Sequence, residues 1–325
     1  MKLPRRRFLH LAAGAAALPA VSRFAWAQTY PARPVRIIVP FAPGGSTDII
    51  ARLIGQWLSE RLGQQFVVEN RPGAGSNIGT EVVVNAPPDG YTLLLVGASS
   101  AINATLYEKL SFNFLRDIAP VAGIISIPFI MAVNPSFPVK TVSEFIAYAR
   151  ANPGNVNMAS GGNGTAGHLS GELFKMMAGI NMVHVPYRGE APALTDMLGG
   201  QVQAMFGTMP ASIEYVRAGK LRPLAVTSAR RSELLPDLPT VGDFVPGYET
   251  SAWQGIGAPK NTPAEIINKL NKENNAGLAD PNIKARLAEL GVTTLALSPA
   301  DFGKLIADET EKWAKVVKFA GLKPD

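Results

Sequence analysis

One local design constrains this chain more than any other: a glycine pair placed between the end of an apolar strand and the start of an amphipathic helix. Val35-Arg36-Ile37-Ile38-Val39 is β-branched and apolar, which predicts a buried strand. Behind it, Ile49, Ile50, Leu53, Ile54, Trp57, Leu58 and Leu62 fall on one face at helical spacing. Between them stands Pro40-Phe41-Ala42-Pro43-Gly44-Gly45-Ser46-Thr47-Asp48. Ser46, Thr47 or Asp48 is expected to cap the helix and Gly63 to end it. Glycine leaves the backbone N–H groups unshielded, and a helix N-terminus carries unpaired donors and partial positive charge, so the turn predicts an anion site.

The design recurs. Ser160-Gly161-Gly162-Asn163-Gly164-Thr165-Ala166-Gly167-His168 again follows a predicted strand and opens a predicted helix. Between and around the two loops, strands and helices alternate, as in Phe66–Asn70, Asn77 to about Ala86 and Thr92–Val96. That alternation predicts parallel sheets covered on both faces by helices. Ile118 to Asn134 is long, apolar and extended, and is read as a crossing into a second lobe; Ser251 to Pro259 is read as the return. The expected organisation is a leader at 1–27, a first lobe from 28–126 and 252–325, and a second lobe from 127–251. In open α/β sheets ligands bind beyond the carboxyl ends of the strands, where both glycine loops lie.

The leader changes the charge argument. Arg5-Arg6-Arg7-Phe8-Leu9, the apolar run Leu11 to Leu18 and Ala25-Trp26-Ala27 form a twin-arginine pattern, a short hydrophobic segment and a cleavage site. This predicts export to the periplasm with a mature chain starting at Gln28. Five of the 31 basic residues lie in the leader, leaving 26 against 25 acidic residues, a net charge of +1. A basic stripe for nucleic acid is not expected. The chain has no cysteine, which excludes disulfides and thiolate chemistry. No further apolar run is long enough to span a membrane, so a monomeric receptor that is not membrane-spanning is expected.

Catalytic patterns are missing. There is no G-x-S-x-G elbow, no H-E-x-x-H and no Gly-Lys-Ser/Thr ending on either glycine loop. His10 lies in the leader and His184 inside a strand; His168 could donate to a ligand carboxylate or simply hold the loop. Asp48 and Glu172 stand near helix starts, where carboxylates serve as caps. Phe41 and Phe206, each at a strand's end, are aromatic candidates for the cleft, and Arg188 could pair with an anion or face solvent. The strongest rival signal is a literal Gly162-x-Gly164-x-x-Gly167, which would make the chain an exported NADP-binding oxidoreductase. The acidic residue such a site wants at the next strand's end is replaced by Val185-Pro186-Tyr187-Arg188, with Glu190 beyond it in the next turn. No enzyme, metal or cofactor is therefore expected. A ligand-sensing module is a third possibility that the same clamp would serve.

Several stretches together resemble the extracytoplasmic solute-binding receptors of the tripartite tricarboxylate transporter family, often called Bug receptors. They are Tyr30-Pro31-Ala32-Arg33-Pro34, the loop from Pro40 to Asp48, Glu69-Asn70-Arg71-Pro72-Gly73-Ala74-Gly75 and Pro88-Asp89-Gly90-Tyr91-Thr92-Leu93. Ser160 to His168, Val185-Pro186-Tyr187-Arg188-Gly189 and Ala258-Pro259-Lys260-Asn261-Thr262-Pro263 complete the set. The resemblance implies a two-lobe, type II periplasmic binding fold (a Venus flytrap), each lobe a mainly parallel sheet flanked by helices. It implies a small carboxylate, a di- or tricarboxylate or an aromatic acid, held between the lobes by backbone amides, and two membrane permease subunits as partners. By position it places Phe41, Ala42, Gly44, Gly45, Ser46, Thr47 and Asp48 in the site, with Ser160, Gly161, Asn163, Gly164, Thr165 and His168 from the second loop. Ser99 and Asn103 transfer more weakly. Two departures stand out: Thr165 replaces the usual serine, and Met205-Phe206-Gly207-Thr208 lacks the acidic or amide residue often found after the phenylalanine, which is expected to favour ligands without an amino group.

Overall fold

The computed structural model describes residues 30–107, 109–319 and 321–322; the leader expected at 1–27 and His10 lie outside them. In the first lobe the chain forms β1 (Val35–Val39), α1 (Ser46–Leu62), β2 (Phe66–Asn70), α2 (Asn77–Val84), β3 (Thr92–Gly97), α3 (Ala98–Leu106) and α4 (Phe114–Asp117). The long strand β4 (Ile118–Val133) leads to α5 (Val142–Ala151), β5 (Asn157–Ser160), α6 (Ala166–Ala178), β6 (Val183–Pro186) and α7 (Glu190–Leu198). Then come β7 (Ala204–Thr208), α8 (Met209–Arg217) and β8 (Arg222–Val226), followed by β9 (Ser251–Pro259), α9 (Ala264–Ala279), α10 (Pro281–Glu289), β10 (Thr293–Thr294) and α11 (Pro299–Phe319).

The strands follow the order β2-β1-β3-β9-β4-β7-β5-β6, with β8 and β10 also paired to β4. In the first lobe β1 runs parallel to β2 and β3, while β9 lies antiparallel between β3 and β4. In the second, β5 runs parallel to β6 and β7, and β4 is antiparallel to β7 and β8. Each sheet is thus mainly parallel with one main strand reversed. β4 belongs to both: Ile118 to Pro128 pair with β9, and Phe129 to Val133 pair with β7.

Burial explains these elements. The β3 residues Leu93, Leu94, Leu95 and Val96 are all buried, as a strand covered on both faces requires. In α1, Ile50, Ile54 and Leu58 recur every fourth position and are buried, and Gly63 closes the helix in the left-handed conformation (φ 71°). In the second lobe the period is two. Met131, Val133, Ala204 and Phe206 enter the core on one face, and Ile130, Ala132 and Met205 the core on the other. Phe302, Ile306, Trp313 and Val317 seat α11 on the first lobe's core.

Candidate functional site

The first glycine loop leaves its helix end open. Gly45, in extended backbone (φ −81°, ψ 171°), is the N-cap of α1, and no side chain caps the helix. The cap expected from Ser46, Thr47 or Asp48 is not made. Asp48 turns back instead, accepting from the Gly44 N–H at 3.0 Å, from Arg52 at 2.9 Å and from Asn70 Nδ2 at 3.0 Å. Burial alone would raise its pKa, but the hydrogen bonds from Arg52, Gly44 and Asn70 outweigh that and hold it below the ordinary value. Asp48 thus braces the loop and does not cap the first N–H groups of α1.

The second loop is braced from within. The Thr165 hydroxyl caps α6, accepting from the His168 N–H at 3.3 Å, and donates to the Gly162 carbonyl at 2.8 Å. Ser160 Oγ donates to the same carbonyl at 3.1 Å and lies 2.6 Å from His184 Nε2. His168 is only 3% exposed. Its Nδ1 accepts from the Gly164 N–H at 3.2 Å, and its ring stacks on His184 with centroids 3.7 Å apart. Burial first, and the neighbouring His168 second, push the His184 pKa down to about 3. Of the two roles open to His168, the geometry matches the one that holds the loop.

The two glycine turns open onto one cavity. Phe41, Gly45, Ser46, Thr47, Ser99, Gly161, Thr165 and Phe206 line it, as do Gly97, Ala98, Ser100, Ala166, Gly167, Glu190, Thr208 and Gln254. Pro40, Phe129, Ala252 and Trp253 add apolar wall. Ala42, Gly44, Asp48, Ser160, Asn163, Gly164 and His168 are not among the lining residues. Asn163 and Arg188 line an adjoining cavity that shares Phe41 and Gly161 with the first. Asn103 does not line the cavity either; its Nδ2 donates to the Gly75 carbonyl at 2.6 Å.

Five helix N-termini meet this cavity: those of α1, α3, α6 and α7, and that of α8 through its N-cap Thr208. Only α6 has a side-chain cap; the other four have none. Among the described lining residues Glu190 alone carries a formal charge, and no Arg, Lys or His is present. Attraction for an anion in this cavity can therefore come only from backbone dipoles and N–H groups.

The lobes are closed on each other. The Ala42 N–H donates to the Arg188 carbonyl at 3.0 Å, and the Ser46 N–H to Glu190 Oε2 at 3.3 Å. Gly75 sits at φ 60°, and a Cβ there would lie 2.3 Å from the Asn163 carbonyl oxygen, so only glycine lets the two loops approach this closely. The Gly162-x-Gly164-x-x-Gly167 run is not a dinucleotide cradle. A Cβ at Gly164 would lie 2.3 Å from Asn103 Oδ1, and one at Gly167 would lie 2.8 Å from the Phe206 carbonyl oxygen. These two glycines make room for protein, not for a pyrophosphate.

Glu190, Gln254, Trp253 and Thr208 are site residues that local sequence reading does not single out. Gln254 arrives on β9 opposite Gly97 and donates to Ser46 Oγ at 3.2 Å, a contact spanning 208 positions. The sequence leaves Glu190 in the turn after Tyr187-Arg188-Gly189, with a helix expected only from Ala191 to Leu198; the structure starts that helix at Glu190 itself. Among the described residues no group of three or more His, Asp or Glu could hold a metal, and no helix is long and apolar enough to cross a membrane.

Comparison with known proteins matches this geometry to a family. The family model for the tripartite tricarboxylate transporter family receptor matches residues 50–322. The chain is 39% identical over 300 residues to protein BugT of Bordetella pertussis, covering 91% of this chain and 92% of that protein. Among solved structures, Rpa4515 of R. palustris with adipate is 40% identical, covers 91% of this chain and 100% of that chain, and superposes with a TM-score of 0.89. MatC (Rpa3494) from Rhodopseudomonas palustris with bound malate is 32% identical, covers 89% of this chain and 100% of that chain, and gives a TM-score of 0.85. The paired glycine turns, the open helix ends and a match across five-sixths of the sequence lead to one conclusion: the chain belongs to the tripartite tricarboxylate transporter receptor family.

Proposed function

We propose that this protein is an extracytoplasmic receptor that closes around a small carboxylate and presents it to the permease subunits of a tripartite tricarboxylate transporter. The observation that carries the reading is the ring of five helix N-termini, four without a side-chain cap, around a cavity with no basic side chain. Helix-terminus attraction contributes roughly 0.3–1 kcal/mol per end, and up to ~2 in partly buried geometry. Each hydrogen bond to a charged group contributes about 1.5–3 kcal/mol. Two or three such bonds offset much of the ordering cost of association, so no reactive or cationic residue is required. Adipate in Rpa4515 and malate in MatC, both carboxylates, support the reading.

On this reading the leader directs twin-arginine export with cleavage near Ala27, and the protein works as a monomer without enzymatic activity. The first lobe runs to residue 126 and resumes at 252, and residues 127–251 form the second. Ligand contacts come from Phe41, Gly45, Ser46, Thr47, Ser99, Gly161, Thr165 and Phe206, while Ala42, Gly44, Asp48, Ser160, Asn163, Gly164 and His168 hold the loops that present them. Thermal-shift screening of dialysed protein against mono-, di- and tricarboxylates and aromatic acids tests the proposal. A ligand at 100 times its Kd stabilises by about 2.7 kcal/mol, which raises Tm by several degrees. The absence of a shift with every acid in the panel would refute the reading.

A further inference from the structure

We infer that Glu190 sets the ligand class of this cleft, so that it takes a carboxylate with an apolar body and an uncharged, hydrogen-bond-donating far end in preference to a dicarboxylate. The inference rests on the carboxylate reading above and narrows it.

Glu190 is the first residue of α7, and its side chain reaches across the closed cleft. Its carboxylate accepts from the Thr208 N–H at 2.8 Å, from Thr208 Oγ1 at 2.7 Å and from the Ser46 N–H at 3.3 Å. Three donors from two lobes fix one negative charge at the N-termini of α1 and α8. Two of the five helix ends around the cavity are therefore already answered by the protein's own anion. The ends of α3 and α6, at Ser99 and Ala166, have no such counter-charge among the lining residues.

A second observation gives this wall the same sense. Gln254 is 5% exposed and lines the cavity; its Nε2 donates to Ser46 and Thr47, and its Oε1 has no hydrogen-bond partner. Around Ser46 the cleft thus offers a fixed carboxylate and an unsatisfied acceptor, both of which a ligand hydroxyl or N–H would complete. A buried acceptor left unpaired is costly, and a second carboxylate placed there would add like-charge repulsion in a water-poor space. Phe41, Phe129 and Phe206 give the same cavity apolar wall.

Isothermal titration of the full mature protein with two matched series decides the matter. One series is butanoate, 4-hydroxybutanoate and succinate; the other is hexanoate, 6-hydroxyhexanoate and adipate. The hydroxy acid should bind wild type at least tenfold more tightly than the diacid of equal length. Glu190→Gln, which keeps the size and an acceptor for Thr208, should shift that ratio at least tenfold toward the diacid. Should the variant not fold, the wild-type ratio alone decides. A diacid that binds wild type as tightly as its hydroxy acid, or a ratio unmoved by Glu190→Gln, would overturn the inference and leave the carboxylate reading standing. Failure of all six acids to bind would overturn the inference, and the carboxylate reading falls with it only when the wider panel of tricarboxylates and aromatic acids also fails.

Discussion

Replacing His184 should remove a specific part of the protein's acid sensitivity. The ring lies under the second glycine loop, 2.6 Å from Ser160 Oγ and stacked on His168 at 3.7 Å. Burial and the adjacent ring lower its pKa to about 3 in the folded chain, against an ordinary value of 6.5. Below pH 6.5 the unfolded chain binds this proton and the folded chain does not, so the unfolded state is favoured as pH falls. The contribution is fully present above pH 6.5 and is lost progressively down to about pH 3, at about 1.4 kcal/mol per pH unit. From pH 6 to 4.5 that is about 2 kcal/mol. For a chain of about 300 residues, at roughly 2.1 cal/mol/K of unfolding entropy per residue, it corresponds to a fall in Tm of about 3 °C. Scanning calorimetry of ligand-free wild type and His184→Phe over this range is the assay. Phenylalanine keeps the stack and loses the Ser160 partner, a cost that does not depend on pH. Acidic groups whose pKa values are lowered, such as Asp48 and Glu172, titrate below this range and are common to both proteins. The wild-type Tm should fall and the variant's should stay nearly level. Parallel curves would refute the assignment.

Substitutions at two further positions probe the grip itself. A Cβ at Gly45 would lie 3.6 Å from Glu190 Cβ, an ordinary contact, so Gly45→Ala should fold and close. Gly45→Leu should fold with unchanged circular dichroism yet lose acid binding by calorimetry, and unchanged affinity would show that the ligand lies elsewhere. Ala166 is the first residue of α6, and Thr165 before it is already extended (φ −76°, ψ 154°), a setting that suits proline. Ala166→Pro deletes one backbone donor and should weaken acid binding by about 10- to 150-fold, the equivalent of one charged hydrogen bond. Wild-type affinity in that variant would show that the α6 end does not hold the carboxylate.

Much of the fold is legible in the sequence because local pattern and burial agree. The β1 run, the fourfold spacing of Ile50, Ile54 and Leu58, and Gly63 as a stop each have a single physical reading, and the structure has them in place. The glycine turns are legible as loops that open helix ends because strand, glycine and helix follow in order, and the structure places both turns on one cavity. What is not legible depends on contacts far apart in the chain. Whether Asp48 caps its helix or turns back depends on Asn70, supplied by another strand. His168 reads as a ligand donor or as a brace for the loop, and only the structure shows His184 stacked on it and the Gly164 N–H donating to its Nδ1. Gln254 and Trp253 reach the cavity only because β9 pairs with β3, and Glu190 only because the cleft is closed. Spacing along the sequence carries none of that information.

The strand that serves both sheets has a mechanical consequence. Because β4 changes partners between Pro128 and Phe129 without a break, the halves are joined by hydrogen-bonded ribbon as well as by the return segment before Ser251. Opening must twist that ribbon, and the irregular register beside β9 at Pro120/Ala122 and Gly123/Ile125 provides places where pairing already yields. The halves are therefore coupled through continuous backbone, so their separation bends a paired strand instead of swinging a loose linker.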